Sequence, residues 1–315
     1  MKFILFLQNL LIQLNPLTRL TIHLTMVIFQ VLRTHQWLKN LLLFVPLVTS
    51  RTNFDLSLLK LMFTGLLGFS FFCSANYIVN DLIDFQSDQN ITYKSQKPIA
   101  SGKLRKTSAI FLAIILAVLG FTLCLYSSVL FLQISLLYLC LGLVYSKYLK
   151  RVPQMDLVTL VLFYEIRIFA GGALFNIPIS FWLILFSFTI FSSLAFVKKS
   201  SKSMIESKLE SKNSKSQSDH AEIDYLVQFG ISFAVLSILT FALYLNSEEI
   251  KFLYAQPKIL WFLIPLLQFL LLRIWKETTS GRMHYDPILF ILRDYVSFVC
   301  LCIMLLVITA VGKVN

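Results

Sequence analysis

The chain has 315 residues, 57% hydrophobic and 14% charged, with a mean hydropathy of +0.76 and a net charge of +12. Soluble domains carry about a quarter charged residues, so this is the composition of an integral membrane protein. It excludes a disordered chain, a disulfide-stapled secreted domain and a membrane β-barrel built on period-two strands. The basic residues sit between apolar runs, so the charge reads as membrane topology and phosphate or anionic-lipid binding, with no nucleic acid implied.

Residues 1–32 are apolar but interrupted by Gln8, Asn9, Gln13, Pro16 and Arg19. They have no small-residue cleavage site, so an N-terminal extension or interfacial helix is expected ahead of a transmembrane domain over 33–315. Nine apolar runs follow, near 36–50, 58–79, 107–126, 129–146, 156–174, 179–197, 226–245, 257–275 and 291–312. A spanning helix needs about 20 residues, and the first run is short. The expected fold is an all-α, polytopic bundle of nine transmembrane helices.

Lysine and arginine set the orientation. They crowd the loops 80–106, 146–155, 198–225 and 273–293 and the segment before the first run, whereas Arg51, Lys60, Lys251 and Lys258 lie opposite. Those loops and the N-terminus are therefore expected on the cytoplasmic side of a cell membrane. The serine- and lysine-rich stretch 198–218 reads either as a solvated, partly helical linker or as a lid. The five cysteines lie in apolar stretches without metal-ligand spacing, and the four histidines form no cluster.

The second run ends in N-D-L-I-D-F-Q-S-D, residues 80–88. Steps of three and four put Asp81, Asp84 and Asp88 on one helical face, where they repel unless a cation joins them. Carboxylates at a helix C-terminus also oppose the macrodipole. Oxygen ligands suit Mg2+, which completes its shell with water and substrate phosphate. Lys94 and Lys97 follow closely, and such a pairing of metal ligands with cations suits a diphosphate; positive-inside bias alone also accounts for the lysines.

Other ionisable residues lie inside or at the mouths of the runs. Arg167 is deep in the fifth, where an arginine must face the interior and pair; Asp156 and Glu165 are in the same run. Lys39 enters the first run two residues after Trp37, as an interface anchor or a phosphate contact. Tyr145 and Lys150 flank the cytoplasmic end of the fourth.

At Asn80–Asp88 the sequence resembles the UbiA-type membrane prenyltransferases, whose N-D-x-x-D-x-x-x-D it matches position by position. Lys94–Gly102, K-S-Q-K-P-I-A-S-G, is similar to that family's K-x-x-R-P-I-x-x-G. A narrower likeness is to polyprenyl-phosphate phosphoribosyltransferases such as the decaprenyl-phosphate enzymes. It rests on Thr34–Leu47 beside their R-x-x-Q-W-x-K-N opening, on Ile166–Gly172 (I-R-I-F-A-G-G), on the pair Lys198–Lys199 and on Leu292–Asp294. The chain departs from the pattern at Asn90–Ile91, at Lys97 and at Lys199, where the likeness would put His-Pro and two arginines. The position of a second acidic motif reads V-K-K-S-S-K-S, which suits further phosphate better than a second metal.

The resemblance implies a Mg2+-dependent transferase. Asp81, Asp84 and Asp88 would act as catalytic metal ligands, and Asn80 would orient them. Lys39, Lys94, Lys97, Tyr145, Lys150, Asp156, Arg167 and Lys198 would bind substrate. The implied reaction moves 5-phosphoribosyl from phosphoribosyl diphosphate to a polyprenyl phosphate. The alternatives are prenyl transfer from a prenyl diphosphate to an aromatic acceptor, and a non-catalytic lipid-binding or transport protein.

Overall fold

In the computed structural model the described residues are 25–50, 55–90, 94–210, 217–283 and 286–311, and they contain helices and turns with no β-strand. The helices are α1 (25–32), α2 (Val45–Ser50), α3 (Leu56–Ile83), α4 (Phe85–Gln89), α5 (Lys106–Ser127), α6 (Val129–Lys147), α7 (Pro153–Phe175), α8 (Phe181–Glu210), α9 (Gln217–Leu245), α10 (Glu248–Leu253), α11 (Leu263–Thr279), α12 (Pro287–Arg293) and α13 (Tyr295–Ala310). 3-10 segments occupy Thr34–Phe44, Leu149–Arg151 and Pro257–Phe262.

Among the described residues, seven helices are long and apolar enough to cross a membrane: Leu56–Ile83, Lys106–Ser127, Val129–Lys147, Gln154–Phe175, Phe181–Ile205, Ala221–Leu245 and Pro257–Thr279. The second to eighth expected spans fall on them. The last expected span coincides with a broken pair, α12 and α13, bent by 89° and counted as an eighth crossing if the two act as one. The first, 36–50, is wound differently: an 11-residue 3-10 helix followed by six α-helical residues. A 3-10 helix rises about 2 Å per residue against 1.5 Å in an α-helix. This run is not among the helices long and apolar enough to cross a membrane, since neither of its two pieces reaches the roughly 20 residues that a crossing needs.

The described residues within 25–41 and 59–148 form one compact unit; 1–24 of the expected extension lie outside the described residues. Val27 and Val31 of α1, Ala75 and Ile78 of α3, Ile99 of the following loop and Ala109, Ala113 and Leu116 of α5 share its core. Small residues let the helices approach, as is usual where lipid supplies no hydrophobic drive between them. A methyl group at Gly142 of α6 would overlap the amide of Asn76 on α3.

The described residues within 42–58 and 149–311 form the second unit. Trp275 of α11 donates from Nε1 to Ser193 Oγ of α8 at 3.0 Å, and Ser193 Oγ donates to the Gly230 carbonyl of α9 at 2.9 Å. One hydroxyl thus ties three helices at a junction where Gly230 leaves room for the indole. Tyr164 and Phe191 stack across α7 and α8 with centroids 4.7 Å apart. Gly171 of α7 lies against the backbone of Leu43, where any side chain would overlap the carbonyl. The serine- and lysine-rich stretch continues α8 to Glu210. Asp55 caps the start of α3, accepting from Leu58 N at 2.7 Å, and that bond holds its carboxyl below the ordinary carboxylate range.

Candidate functional site

The acidic sequence is not one continuous helix. α3 ends at Ile83, Asp84 is a turn residue, and α4 begins at Phe85. The chain still continues in the same sense, because Asp84 N donates to the Asn80 carbonyl at 2.9 Å and Asp88 N to the Asp84 carbonyl at 2.8 Å. Asn80 Nδ2 donates to Asp84 Oδ2 at 3.1 Å, so the asparagine orients the middle carboxylate. Asp81 and Asp88 are buried, and they converge on one group: Lys97 Nζ lies 3.0 Å from Asp81 Oδ1 and 2.6 Å from Asp88 Oδ2.

The loop after α4 is folded to deliver that lysine. Lys97 N bonds the Lys94 carbonyl, Ser101 N the Lys97 carbonyl, and Leu104 N the Pro98 carbonyl, at 2.8–3.0 Å. Ile99 is buried in the unit core and anchors the turn, which Gly102 closes at φ 76°. Lys94 is half-buried at the start of the described part of this loop.

Arg33 completes the cluster, and sequence reasoning passed over it. Its Nη2 lies 2.6 Å from Asp81 Oδ1, and its guanidinium stands 5.0 Å from the centre of the Tyr77 ring, one helical turn before Asp81. Arg33 has φ 50°, a left-handed conformation that side-chain-bearing residues seldom adopt. The turn is held by Trp37, whose Nε1 donates to Ser74 Oγ at 3.0 Å, and by Ser74 Oγ donating to the Leu32 carbonyl at 2.8 Å. The signal was in the sequence, because Arg33 opens the R-x-x-Q-W segment. Lys39 is buried beside Asn40, which bonds Ser70 of α3 at 2.9 Å.

As they stand, no three carboxylates among the described residues are grouped as a metal site. The donor chemistry nevertheless fits a hard divalent ion. The groups are carboxylate and amide oxygens, and two of the carboxylates aim at a single point that a cationic nitrogen already fills. An ammonium in that position is an electrostatic stand-in for a metal ion.

Of the other expected site residues, Tyr145 belongs to the first unit and is half-buried. Lys150, Asp156, Arg167 and Lys198 belong to the second. There Asp156 is 3.9 Å from Lys199 Nζ, while Lys198 is half-buried next to it on α8. Arg167 is buried, donates to the Phe163 carbonyl and lies 6.0 Å from the Tyr164 ring centre. Glu165 is buried and accepts from Ser187 Oγ at 3.0 Å. Asp294 of the L-R-D segment has a structural role: both its oxygens pair with Arg273 at 2.7 Å, and it caps α13 through Ser297 N and Oγ.

Comparison with known proteins gives a consistent picture. Residues 41–286 match the UbiA prenyltransferase family. An uncharacterized protein, y4nM, of Sinorhizobium fredii is 32% identical over 275 residues, covering 85% of this chain and 52% of that protein. The decaprenyl-phosphate phosphoribosyltransferase of Mycolicibacterium smegmatis is 28% identical over 162 residues, covering 50% of this chain and 51% of the enzyme. The chain thus spans about half the length of these curated relatives. Among solved structures, a UbiA homologue from Archaeoglobus fulgidus bound to DMAPP and Mg2+ superposes with a TM-score of 0.67 at 18% identity, covering 90% of this chain and 97% of that one. At that identity the likeness is one of fold.

Proposed function

The chain belongs to the UbiA prenyltransferase family, and on that premise we propose that it is a membrane transferase that breaks a diphosphate ester at the Asp81–Asp84–Asp88 cluster. The observation that carries this reading is the convergence of Asp81 and Asp88 on Lys97, with Arg33 on the same carboxylate. The cluster gathers cation ligands and phosphate-binding cations in one place.

The donor is phosphoribosyl diphosphate and the acceptor a polyprenyl phosphate. Support comes from the basic Lys198–Lys199 pair, which stands where the notion of a second metal would require carboxylates, and from the phosphoribosyltransferase among the relatives. Asp81, Asp84 and Asp88 would hold Mg2+, which supplies charge neutralisation to the departing diphosphate. Asn80 keeps Asp84 oriented. Lys94 and Lys97 take up negative charge as the bond from the anomeric carbon to the diphosphate oxygen breaks. An oxygen of the acceptor phosphate forms the new bond to that carbon, and diphosphate leaves. The acceptor is already ionised, so no general base is required, and positioning does most of the work. Lys39, Arg167 and Lys198 bind phosphate oxygens, while Tyr145, Lys150 and Asp156 help to seat the substrates. The reaction takes place at the cytoplasmic face of the cell membrane.

The second reading is prenyl transfer to an aromatic acceptor, which uses the same diphosphate departure. Label from phosphoribosyl diphosphate entering lipid supports the first reading; label from a prenyl diphosphate entering an aromatic acceptor supports the second. No transfer from either leaves a lipid-binding or transport protein. Asp84→Asn should abolish metal-dependent turnover at normal expression, and unchanged turnover would remove the cluster from the mechanism.

A further inference from the structure

We propose that Arg33 is a working part of the acidic site: without a divalent ion it shares Asp81 with Lys97, and when the ion takes the carboxylate it transfers to the donor diphosphate. This rests on the reading above.

Asp81 Oδ1 accepts from two cationic nitrogens, Arg33 Nη2 at 2.6 Å and Lys97 Nζ at 3.0 Å. An oxygen so occupied ligates a metal only by giving up at least one of them. The charges point the same way. Asp81, Asp84 and Asp88 carry three negative charges, and Arg33 and Lys97 return two positive ones. A divalent ion added to that set leaves an excess of positive charge, which a diphosphate arriving with the ion offsets. Every charge would then stay paired if the carboxylates held the ion and the displaced cations followed the phosphate.

Arg33 is built for that move. Its side chain is 25% exposed against 8% for Asp81, so the carboxylate is fixed while the guanidinium has room to turn. Its planar fork matches phosphate oxygens two at a time. Its backbone is left-handed, at φ 50°, where glycine or asparagine would be at ease. Residues held in such conformations cluster at functional sites. Tyr77 under the guanidinium offers a resting surface beside Asp81.

The test is Mn2+ binding to the whole purified chain without donor, read from the loss of the free-ion electron paramagnetic signal. Arg33→Gln removes the competing cation and should bind Mn2+ about threefold to tenfold tighter, whereas Arg33→Lys should stay near the parent. In turnover, Arg33→Gln should raise the donor KM about tenfold with a smaller change in kcat. If Arg33→Gln fails to fold, Arg33→Gly relieves the backbone and carries the same expectation. Unchanged or weaker Mn2+ binding in Arg33→Gln or Arg33→Gly is what a merely structural arginine gives, and it overturns the proposal. A parent that binds Mn2+ and loses it in Asp84→Asn keeps the functional reading intact in that event. A parent that binds no Mn2+ overturns both.

Discussion

Asp81 and Asp88 lie on different helices and share one ammonium, with Lys97 Nζ 3.0 Å from the first and 2.6 Å from the second. Lys97 therefore has a structural duty in addition to any contact with substrate. Lys97→Gln should cost about 1–3 kcal/mol by removing the ammonium from buried Asp88 and leaving Asp81 with Arg33 alone, and should lower turnover as well. Lys97→Arg, whose fork reaches two acceptors at once, should restore most of the stability. Thermal unfolding in detergent measures both. A Gln variant with parental stability would mean that the two carboxylates do not depend on this lysine.

Asp294→Ala should cost about 2–4 kcal/mol, because it removes both charge-assisted bonds to Arg273 and the cap of α13 together. Asp294→Asn keeps the cap and should lose less. Equal losses in the two variants would show that the cap contributes nothing.

Gly171→Ala places a methyl group against the Leu43 carbonyl and should cost about 1–3 kcal/mol or abolish folded yield. Gly102→Ala meets open space and bears only the strain of φ 76°, about 1 kcal/mol. Yield and unfolding temperature should rank the two variants in that order; the reverse order would contradict the close approach at Gly171.

The Asp55 cap gives a pH dependence of definite sign. The Leu58 N–H lowers the folded-state pKa of its carboxyl, so the contribution is complete above the unfolded value of about 4 and is lost as pH falls through the folded one. Asp55→Asn caps without titrating. The difference between parent and variant unfolding temperatures should therefore slope on the acid side and be flat near neutrality. Parallel profiles would remove Asp55 as the source.

Much of the fold is legible in the sequence because apolar runs report their length directly. The Asn80–Asp88 motif likewise announces a helix end at which carboxylates gather. Other features depend on distance or on fine geometry. Nothing in T-H-Q-W-L-K-N-L-L-L-F separates a 3-10 period from an α-helical one over eleven residues. The break at Asp84 carries no glycine or proline to mark it. One partner of Asp81 is Arg33, 48 residues away, and a pairing at that range has no local spacing to betray it. Asp294 read as part of a family signature, yet its contacts are those of a helix cap and an ion pair.

Trp37 sits next to these events. Its indole bonds Ser74, whose hydroxyl bonds the Leu32 carbonyl, and Leu32 is the residue before Arg33. A swing of the arginine would pull on that peptide, so an emission change on loading that disappears in Trp37→Phe is the expected optical sign of it.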